Sequence, residues 1–449
     1  MSLRHAVVRA CLATGLLASS SLVQAAFFAL AENSPAGLGN AFAGGGAIAE
    51  DASTVWYNPA GMTRLPGSQM VVGLYAVRPS AKFEKTSATT VTGATTTGSN
   101  GGDYGESAII PNFYYSRALS DRTWFGIGIN APFGMATQYE DGWVGRYHAL
   151  RSEIKTVNIN PSVAYKVSDK VSVGAGISIQ VIDATLTQNA DLGTICAVQT
   201  PGSCAGLGLV PQQDDAHADL SGDGASHGVN VGLLWQLSDA ARVGFAYRSK
   251  VKQSLTGTRT VTFTDAGQSA YAAAIGQGNT GIRTDITMPA TWSVSGLVQL
   301  SPQWLLLGDI TRTDWHYLPE LRIRNDNGSA DTVITLRLKD SYRYSAGLTY
   351  LYSSTISLRA GIALDQTPTP SPEYRTPRVP DADRTWLTFG IGVKQSKSLS
   401  FDAGYAYIRN DKVDINKRTT DTENTFRGNL SGTYDATTHI LSAQLNWMF

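Results

Sequence analysis

Apolar and polar residues alternate with a period of two through most of the chain after residue 67. In residues 171–181, valine, isoleucine and alanine occupy one face, and serine, glycine and glutamine occupy the other. Residues 356–365, 387–394 and 399–407 repeat the alternation. Because successive side chains of a β-strand point to opposite faces, the pattern predicts strands that each have one apolar face.

The connections between these stretches differ strongly in length. Short connections such as 120–122 and 301–303 alternate with long ones such as 188–225 and 417–435. Short turns on one side and long loops on the other are typical of bacterial outer-membrane barrels, whereas a soluble secreted all-β protein, the alternative, would have similar turns at both ends. We therefore predict an all-β fold, an antiparallel transmembrane β-barrel of about 14 strands. The strands are expected near 67–83, 107–118, 123–131, 154–167, 171–187, 226–237, 241–255, 286–300, 304–324, 333–351, 355–365, 384–394, 398–416 and 436–449.

The first residues have the features of a secretory signal peptide. Arg4, His5 and Arg9 precede an apolar stretch that ends at Val23-Gln24-Ala25, which resembles a small-residue cleavage site. A lipoprotein signal is excluded because Cys11 precedes the apolar stretch instead of following it. We therefore predict a cleaved signal peptide at residues 1–25. After it, no run of about 18 apolar residues predicts a membrane helix, and a membrane protein without such helices must be a closed barrel.

Composition narrows the class of protein further. Lys plus Arg equals Asp plus Glu at 36 each, and only 16% of the 449 residues are charged. This balance, without a basic patch, argues against a nucleic-acid partner. The chain ends on Phe449 after an alternating strand, which resembles the signal read by the outer-membrane barrel-assembly machinery. The expected surroundings are outer-membrane lipid, and the expected oligomeric state is a monomer.

Residues 26–66 differ from the rest because they are apolar and rich in glycine but lack the period of two. A barrel of about 14 strands is too wide for its own side chains to fill. We predict that this segment is a hatch that folds back into the lumen of the barrel, residues 67–449, and that a short helix near 50–55 ends at the turn Asn58-Pro59. A disordered linker is the alternative, but Phe42, Val55 and Trp56 argue against it.

The chain lacks the motifs of most enzymes. No nucleophile elbow, zinc-protease motif, P-loop or dinucleotide fingerprint occurs, so no catalytic residue, metal or cofactor is predicted. His148 near Ser152 is the one local pairing that a lipid-acting barrel enzyme would need, and it is weak. Cys196 and Cys204 are close together in a predicted loop, and a disulfide is favoured over a metal site there.

Four stretches resemble the FadL-type outer-membrane transporters. They are "SPAGLGNAFAGGGAIAEDASTVWYNPAGM" at 34–62, "GWVGRYHALRSEI" at 142–154, "GIALDQTPTP" at 361–370 and "VPDADRTWL" at 379–387. The resemblance runs from the hatch to Phe449. It implies a hatch-plugged barrel of about 14 strands that carries long-chain fatty acids, or in some branches aromatic hydrocarbons, passively across the outer membrane.

The resemblance also implies a route. Ligand meets an apolar groove between loops 188–225 and 257–285, and within the second loop 266–275 is expected to form a helix capped by Asp265. It then reaches a pocket at Phe27 and Phe28. The element Asn58, Pro59 and Ala60 belongs to the gating hatch. Lateral exit is expected at Asn130, Ala131, Pro132, Phe133 and Gly134, where Pro132 cannot complete the strand ladder unless it already lies in the loop.

The cargo depends on where positive charge lies. Lys339 lies two residues after Arg337 and four residues before Arg343. A single strand would therefore place all three side chains on one face, where they could form a carboxylate-binding ladder. Asp183 occupies a position where the resemblance leads us to expect a base. A transporter of monoaromatic or alkane hydrocarbons with the same fold is therefore an alternative. A lipid-acting barrel enzyme and an adhesive surface protein are the more distant ones.

Overall fold

The structure is a computed structural model that describes residues 27–449, so the predicted signal peptide lies outside the described residues. Twenty β-segments follow one another in an antiparallel order. The first ten are β1 Ser68–Thr89, β2 Ala108–Ala118, β3 Thr123–Asn130, β4 Gly134–Gln138, β5 Arg151–Lys166, β6 Val171–Asp191, β7 Asp215–Ser238, β8 Ala241–Arg248, β9 Val251–Thr262 and β10 Thr280–Met288. The others are β11 Thr291–Ser301, β12 Trp304–Thr313, β13 Glu320–Asn325, β14 Thr332–Thr335, β15 Ser341–Leu351, β16 Ile356–Asp365, β17 Arg384–Lys394, β18 Leu399–Asn410, β19 Val413–Lys417 and β20 Asn429–Met448.

The segments close into one barrel because the last strand pairs with the first. β20 is antiparallel to β1 from Gln69 opposite Met448 to Thr89 opposite Asn429. Six crossings consist of two segments each: β3 with β4, β8 with β9, β10 with β11, β12 with β13, β14 with β15, and β18 with β19. The barrel thus has the 14 antiparallel strands that the alternation predicts.

The outer face of the barrel wall is apolar and the inner face is polar, which is the reverse of the arrangement in a soluble protein. On β6, Val173, Ile177 and Ile179 are 39–53% exposed on the outside, whereas Ser172 and Gln180 are buried inside. The same arrangement recurs on β17 and β18. An apolar exterior around a polar interior is the pattern of a barrel in lipid, as predicted.

Several predicted strands are interrupted in the structure. The stretch 304–324 is broken by a 3-10 turn at Trp315–Tyr317, and 333–351 is broken between β14 and β15. Conversely, β6 and β7 extend far into the predicted loop 188–225, which leaves a shorter connection. The alternating pattern does not predict these changes, because an apolar residue can occur in a turn as well as in a strand.

The first described residues, 27–66, lie inside the barrel. We use "hatch" for residues 27–66, which form helices α1 Pro35–Leu38, α2 Gly45–Ile48 and α3 Thr54–Tyr57 and a 3-10 helix at Pro59–Arg64. The hatch contacts walls on opposite sides, since α1 packs on β17, β18 and β20 and α2 packs on β8 and β11. The helix expected near 50–55 is displaced, because Asp51 and Ala52 form a turn and helix α3 begins at Thr54.

The long-loop end carries three further helices. They are α4 Leu192–Gln199, α5 Cys204–Leu207 and α6 Ala266–Ala274. The side chain of Asp265 accepts a hydrogen bond from the backbone N–H of Gln268, so the cap of α6 has the expected form. Cys196 and Cys204 are joined by a disulfide between α4 and α5. Within residues 27–449, every helix falls short of the length and apolar character required to cross a membrane.

Candidate functional site

The start of the hatch borders an apolar cavity below the long loops. This cavity, which we call the upper chamber, has a volume of about 50 Å³ and is lined by both Phe27 and Phe28. The two rings are buried and lie 5.3 and 4.9 Å from the ring of Trp315, measured between centroids, in edge-to-face contacts. Such contacts favour aromatic pairs beyond their buried area. Phe27 has a φ of 57°, an unfavourable conformation for a bulky residue that its surroundings must hold.

A second apolar cavity continues from the upper chamber toward the long loops. This upper groove, about 40 Å³, lies among the ends of β6, β7, β9 and β10. It shares Ile154, Leu186, Ile286 and Leu321 with the upper chamber. An almost uninterrupted apolar surface therefore leads from the upper strand ends to Phe27 and Phe28. It is built mainly by strand walls, not by the helices of the two long loops.

The third crossing is interrupted at the residues predicted for lateral exit. β3 ends at Asn130 and β4 begins at Gly134, with Ala131, Pro132 and Phe133 between them. β3 pairs with both β2 and β5. Among the described residues, β4 pairs along its length with β5, and on its other side it reaches the residues before β2 only near its end, through a single bridge from Thr137 to Gly105. The part of β2 from Ala108 to Asn112 consequently pairs with β1 alone. The wall thus has a gap between β2 and β4.

The N-terminal segment of the hatch fills the inside of this gap. The N–H of Leu30 donates to the carbonyl of Pro132, and the N–H of Gly134 donates to the carbonyl of Phe28, both at 2.9 Å. Ala29 and Phe133 form an isolated antiparallel bridge between these two hydrogen bonds. The segment therefore acts as a short extra strand that satisfies backbone groups left open by the interruption.

Polar side chains fasten the next two hatch residues to the same walls. Asn130 donates to the side-chain oxygen of Asn33 at 2.6 Å, and Tyr114 donates to the Asn33 carbonyl at 2.7 Å. Asn112 donates to the carbonyl of Glu32 at 3.0 Å. Since β2 and β3 border the gap, these bonds couple the position of the hatch to the edges of the opening.

A larger cavity lies below the N-terminal segment. This lower chamber, about 160 Å³, is bordered by Ala29, Leu30 and Ala31 on one side and by β7, β8, β11, β12 and β15 on the other. Arg248 and Arg343 line it, and within residues 27–449 neither forms an ion pair with a carboxylate. The segment Phe27–Ala31 is thus a partition between an apolar chamber above and a partly polar chamber below.

The predicted basic ladder is wrong. Arg343 lines the lower chamber and donates to the carbonyl of Ala41, but Arg337 and Lys339 are exposed in the connection between β14 and β15. Leu336 and Leu338 point inward in their place. Arg337 has a φ of 45°, which interrupts the strand and ends the period of two on which the shared face depended.

The apparent absence of a base at Asp183 has a simple structural reason. Ile182 packs in the interior cluster that contains Phe27 and Phe28, so its neighbour Asp183 points to the opposite face of the strand. Asp183 lies opposite Lys155 in the pairing of β5 with β6. The side chain of Asp183 therefore points away from the cluster that contains Phe27 and Phe28.

The predicted element Asn58, Pro59 and Ala60 is buried where the hatch meets the wall. Asn58 donates to the carbonyls of Gly46 and Leu233, at 2.7 and 3.0 Å, and accepts from the N–H of Ala60 at 3.1 Å. Its side chain thus joins two parts of the hatch to β7. Pro59 begins the 3-10 helix, where its missing N–H leaves no donor unsatisfied.

The one pairing considered for an enzyme does not form. The ring of His148 faces the carbonyl of Gly428 at 3.1 Å, and the hydroxyl of Ser152 accepts from Arg378 at 3.1 Å. Both side chains are therefore engaged elsewhere. Two residues at the upper chamber were missed: Arg378, which lines it, and Trp315, which packs against Phe27 and Phe28. Their only sequence signal is the position of Arg378 directly before the stretch "VPDADRTWL".

A closed barrel with an apolar exterior, an internal hatch and a chamber on each side of a partition has the architecture of a membrane channel for small molecules. The chain belongs to the family described as outer membrane protein transport protein (OMPP1/FadL/TodX), which it matches over residues 16–449. The protein is a bacterial outer-membrane transport protein and not an enzyme.

The relatives extend this assignment over almost the whole chain. A long-chain fatty acid transport protein of Salmonella typhi is 30% identical over 93% of this chain and 95% of its own. The crystal structure of a Pseudomonas aeruginosa FadL homologue superposes with a TM-score of 0.87 at 25% identity, covering 94% of this chain and 99% of that one. The monoaromatic hydrocarbon channel CymD, at 21% identity, covers 94% and 99% with a TM-score of 0.64 and supports the fold alone.

Proposed function

We propose that the protein carries long-chain fatty acids across the outer membrane down their gradient. The observation that carries the proposal is the position of Phe27–Ala31, which closes the upper chamber and at the same time fills the gap between β2 and β4. A ligand that enters from the upper groove must displace this segment to proceed. The same displacement would uncover the gap, so binding and opening are coupled.

The size of the upper chamber supports displacement. At about 50 Å³ it is far smaller than pockets for drug-sized ligands, which measure roughly 300–1,000 Å³. The rings of Phe27 and Phe28 occupy the apolar space that a long acyl chain would need. When the two rings leave this space they lose their packing contacts. The acyl chain replaces those contacts with apolar contacts of its own.

Exit through the wall suits an apolar cargo. The interior side of the gap is formed by small apolar residues, Ala108, Ala131 and Ala136, that pack against Leu30 in one cluster. Once Leu30 withdraws, an acyl chain would pass from these alanines to lipid without crossing water. Passage through the polar base of the hatch would instead place apolar surface in water at about 25 cal/mol per Å².

Fatty acids are favoured over hydrocarbons as cargo. The relative that is 30% identical is named for long-chain fatty acid transport, and the similarity to the hydrocarbon channel bears on the fold alone. Basic groups occur in both chambers, at Arg378 above and at Arg343 and Arg248 below. A hydrocarbon would leave these buried cations without use. Recognition of Phe449 by the assembly machinery and a monomeric state are part of the same proposal.

The exit can be blocked with a single bulky residue. Ala136→Trp should fill the gap and reduce oleate uptake to that of cells without the channel, in a strain that lacks its own fatty-acid transporter. Ala76→Trp is the matched control, since Ala76 is exposed on the outer face of β1 and its added bulk would lie in lipid. Heat-modifiable electrophoresis checks folding of both variants. Normal uptake by folded Ala136→Trp protein would contradict lateral exit.

A further inference from the structure

Two crossings of the barrel are interrupted close to the upper chamber, and a cluster of charged side chains joins the two interruptions. The first interruption is the 3-10 turn at Trp315–Tyr317 between β12 and β13, and the second is the connection between β14 and β15. The cluster consists of Arg312, Asp314, His316 and Asp340, and we call it the outer cluster. Nothing in the predicted route required these residues.

Asp340 lies at the centre of the outer cluster. Its Oδ2 accepts a hydrogen bond from Nη2 of Arg312 at 2.8 Å, and its Oδ1 accepts one from the backbone N–H of His316 at 3.2 Å. The ring Nδ1 of His316 lies 2.7 Å from the same Oδ1. Nε of Arg312 lies 2.9 Å from Asp314, whose other oxygen accepts a hydrogen bond from the indole N–H of Trp292 at 3.1 Å. The connection between β14 and β15 is thereby fastened to the 3-10 turn on both sides of Trp315.

The outer cluster and the ring of Trp315 lie on opposite sides of the wall. Ile310 is exposed on the outer face of β12, and Arg312 shares that face two residues later. His316 is exposed as well. Trp315 is instead fully buried and packs in the interior group of apolar residues that contains Phe27 and Phe28. One short turn therefore presents charged groups outward and an indole ring inward to the partition.

The ring of Trp315 is not held by a hydrogen bond of its own among the described residues. Its Nε1 is buried and has no partner there, whereas the indole N–H groups of Trp124 and Trp143 donate to backbone carbonyls at 3.0 and 2.7 Å. A buried indole N–H usually finds a hydrogen-bond partner. The orientation of Trp315 consequently depends on its packing and on the backbone on either side of it, which the outer cluster holds.

We propose that the outer cluster positions Trp315 and thereby sets how firmly the partition is seated. The rings of Phe27 and Phe28 meet Trp315 edge to face, with interplanar angles of 76° and 87°. Such contacts depend on the orientation of the indole ring, whereas an acyl chain packs against it without a preferred angle. The outer cluster therefore stabilises the seated partition more than it stabilises a bound acyl chain. This inference rests on the proposed function and adds Asp340 to it as a positioning residue.

Removal of the central carboxylate tests the inference by two measurements on purified full-length protein. Asp340→Ala should loosen Trp315, so that the partition opens more often and the amide of Leu30, which is bonded to Pro132, exchanges faster with deuterated solvent. A partly exposed ion pair changes an equilibrium constant by up to about fivefold, so we expect exchange to be about three- to fivefold faster. Oleate should bind more tightly by a similar factor, because its chain then displaces a less firmly seated partition.

Controls separate positioning of the indole ring from general damage to the loops. Asp435→Ala is the matched control, since Asp435 also contacts two cations, Arg409 at 2.8 Å and Lys412 at 3.3 Å, but on the β18–β20 side of the barrel. It should change neither measurement. Asp340→Glu keeps the carboxylate and should restore part of the parent behaviour. In a Trp315→Phe background, Asp340→Ala should have no further effect, because the ring through which it acts is gone.

Four results would overturn the inference. Unchanged exchange at Leu30 in Asp340→Ala protein that folds normally by heat-modifiable electrophoresis would show that the outer cluster does not hold the partition, and weaker oleate binding would show that it favours the bound state. Equal acceleration in Asp435→Ala would reveal a general effect of loop charge. Additive effects of Asp340→Ala and Trp315→Phe would show that Asp340 does not act through the indole. Deuterium exchange needs no ligand, so failure of the parent protein to bind oleate would contradict the proposed function alone.

Discussion

At the scale of single residues, burial decides which charged groups respond to their surroundings. Glu32, in the segment that follows the partition, is 1% exposed, and neither carboxylate oxygen has a hydrogen-bond partner among the described residues. Burial raises its pKa from 4.5 to about 7, while Arg384 and Arg343 oppose the shift and Asp365 adds to it. The seated hatch therefore favours the protonated acid.

This shift predicts that pH affects how firmly the hatch is seated. A group whose pKa is raised in the seated state holds a proton that the released state gives up, so seating is strongest below about pH 4.5 and weakens by about 1.4 kcal/mol per pH unit until about pH 7. Ligand-free ion conductance in planar bilayers should rise over this interval in the parent and much less in Glu32→Gln. Glu84→Gln, at an exposed position, is the control. The same rise in both variants would exclude Glu32 as its origin.

At the scale of elements, hatch and wall fit because glycines of the wall face the hatch backbone. A Cβ added to Gly174 on β6 would lie 2.5 Å from the backbone nitrogen of Ala60, a distance that requires the hatch to move. Gly296 on β11 offers a matched control, since a Cβ there meets nothing within 4 Å. The two positions therefore separate the effect of hatch contact from the effect of glycine replacement itself.

We expect Gly174→Ala to loosen the hatch and leave the barrel intact. Overpacking of this kind typically costs about 1–3 kcal/mol of stability. We expect the hatch to move in response, because it is small, whereas the wall is held by a closed ladder of hydrogen bonds. Ion conductance should increase for Gly174→Ala and remain at the parent level for Gly296→Ala, with heat-modifiable folding retained in both. Equal conductance of the two variants would contradict a tight hatch–wall contact.

The elements also show where sequence patterns succeed and where they end. The period of two identified the strands of the barrel because lipid and lumen impose opposite polarities on alternate residues, as at Ile177 and Ser178. The hatch was recognisable because it lacks that period. The contact of Trp315 with Phe27 and Phe28 could not be foreseen, since these residues are distant in sequence and meet only in the fold. The ladder of Arg337 and Arg343 failed because one residue with positive φ breaks the register.

At the scale of the whole molecule, one short segment connects ligand binding to the wall. Phe27 and Phe28 close the upper chamber, Ala29–Ala31 border the lower one, and the backbone from Phe28 to Leu30 pairs with the interrupted strand. Among the described residues, no other segment touches the upper chamber, the lower chamber and the strand break together. Under the proposed function, transport requires that this segment leave the strand break, and holding it there should stop transport.

The most direct measurement is oleate uptake with the segment locked in place. Ala29 and Phe133 form a narrow antiparallel pair, a separation that suits a disulfide, so Ala29→Cys with Phe133→Cys should cross-link the segment to the break. The two single variants and the parent, which contains the Cys196–Cys204 disulfide, receive the same oxidation and reduction as controls. Oxidation should abolish uptake in the double variant and reduction should restore it, with no change in the controls. Full uptake by the oxidised, cross-linked protein would contradict a mobile partition between chamber and exit.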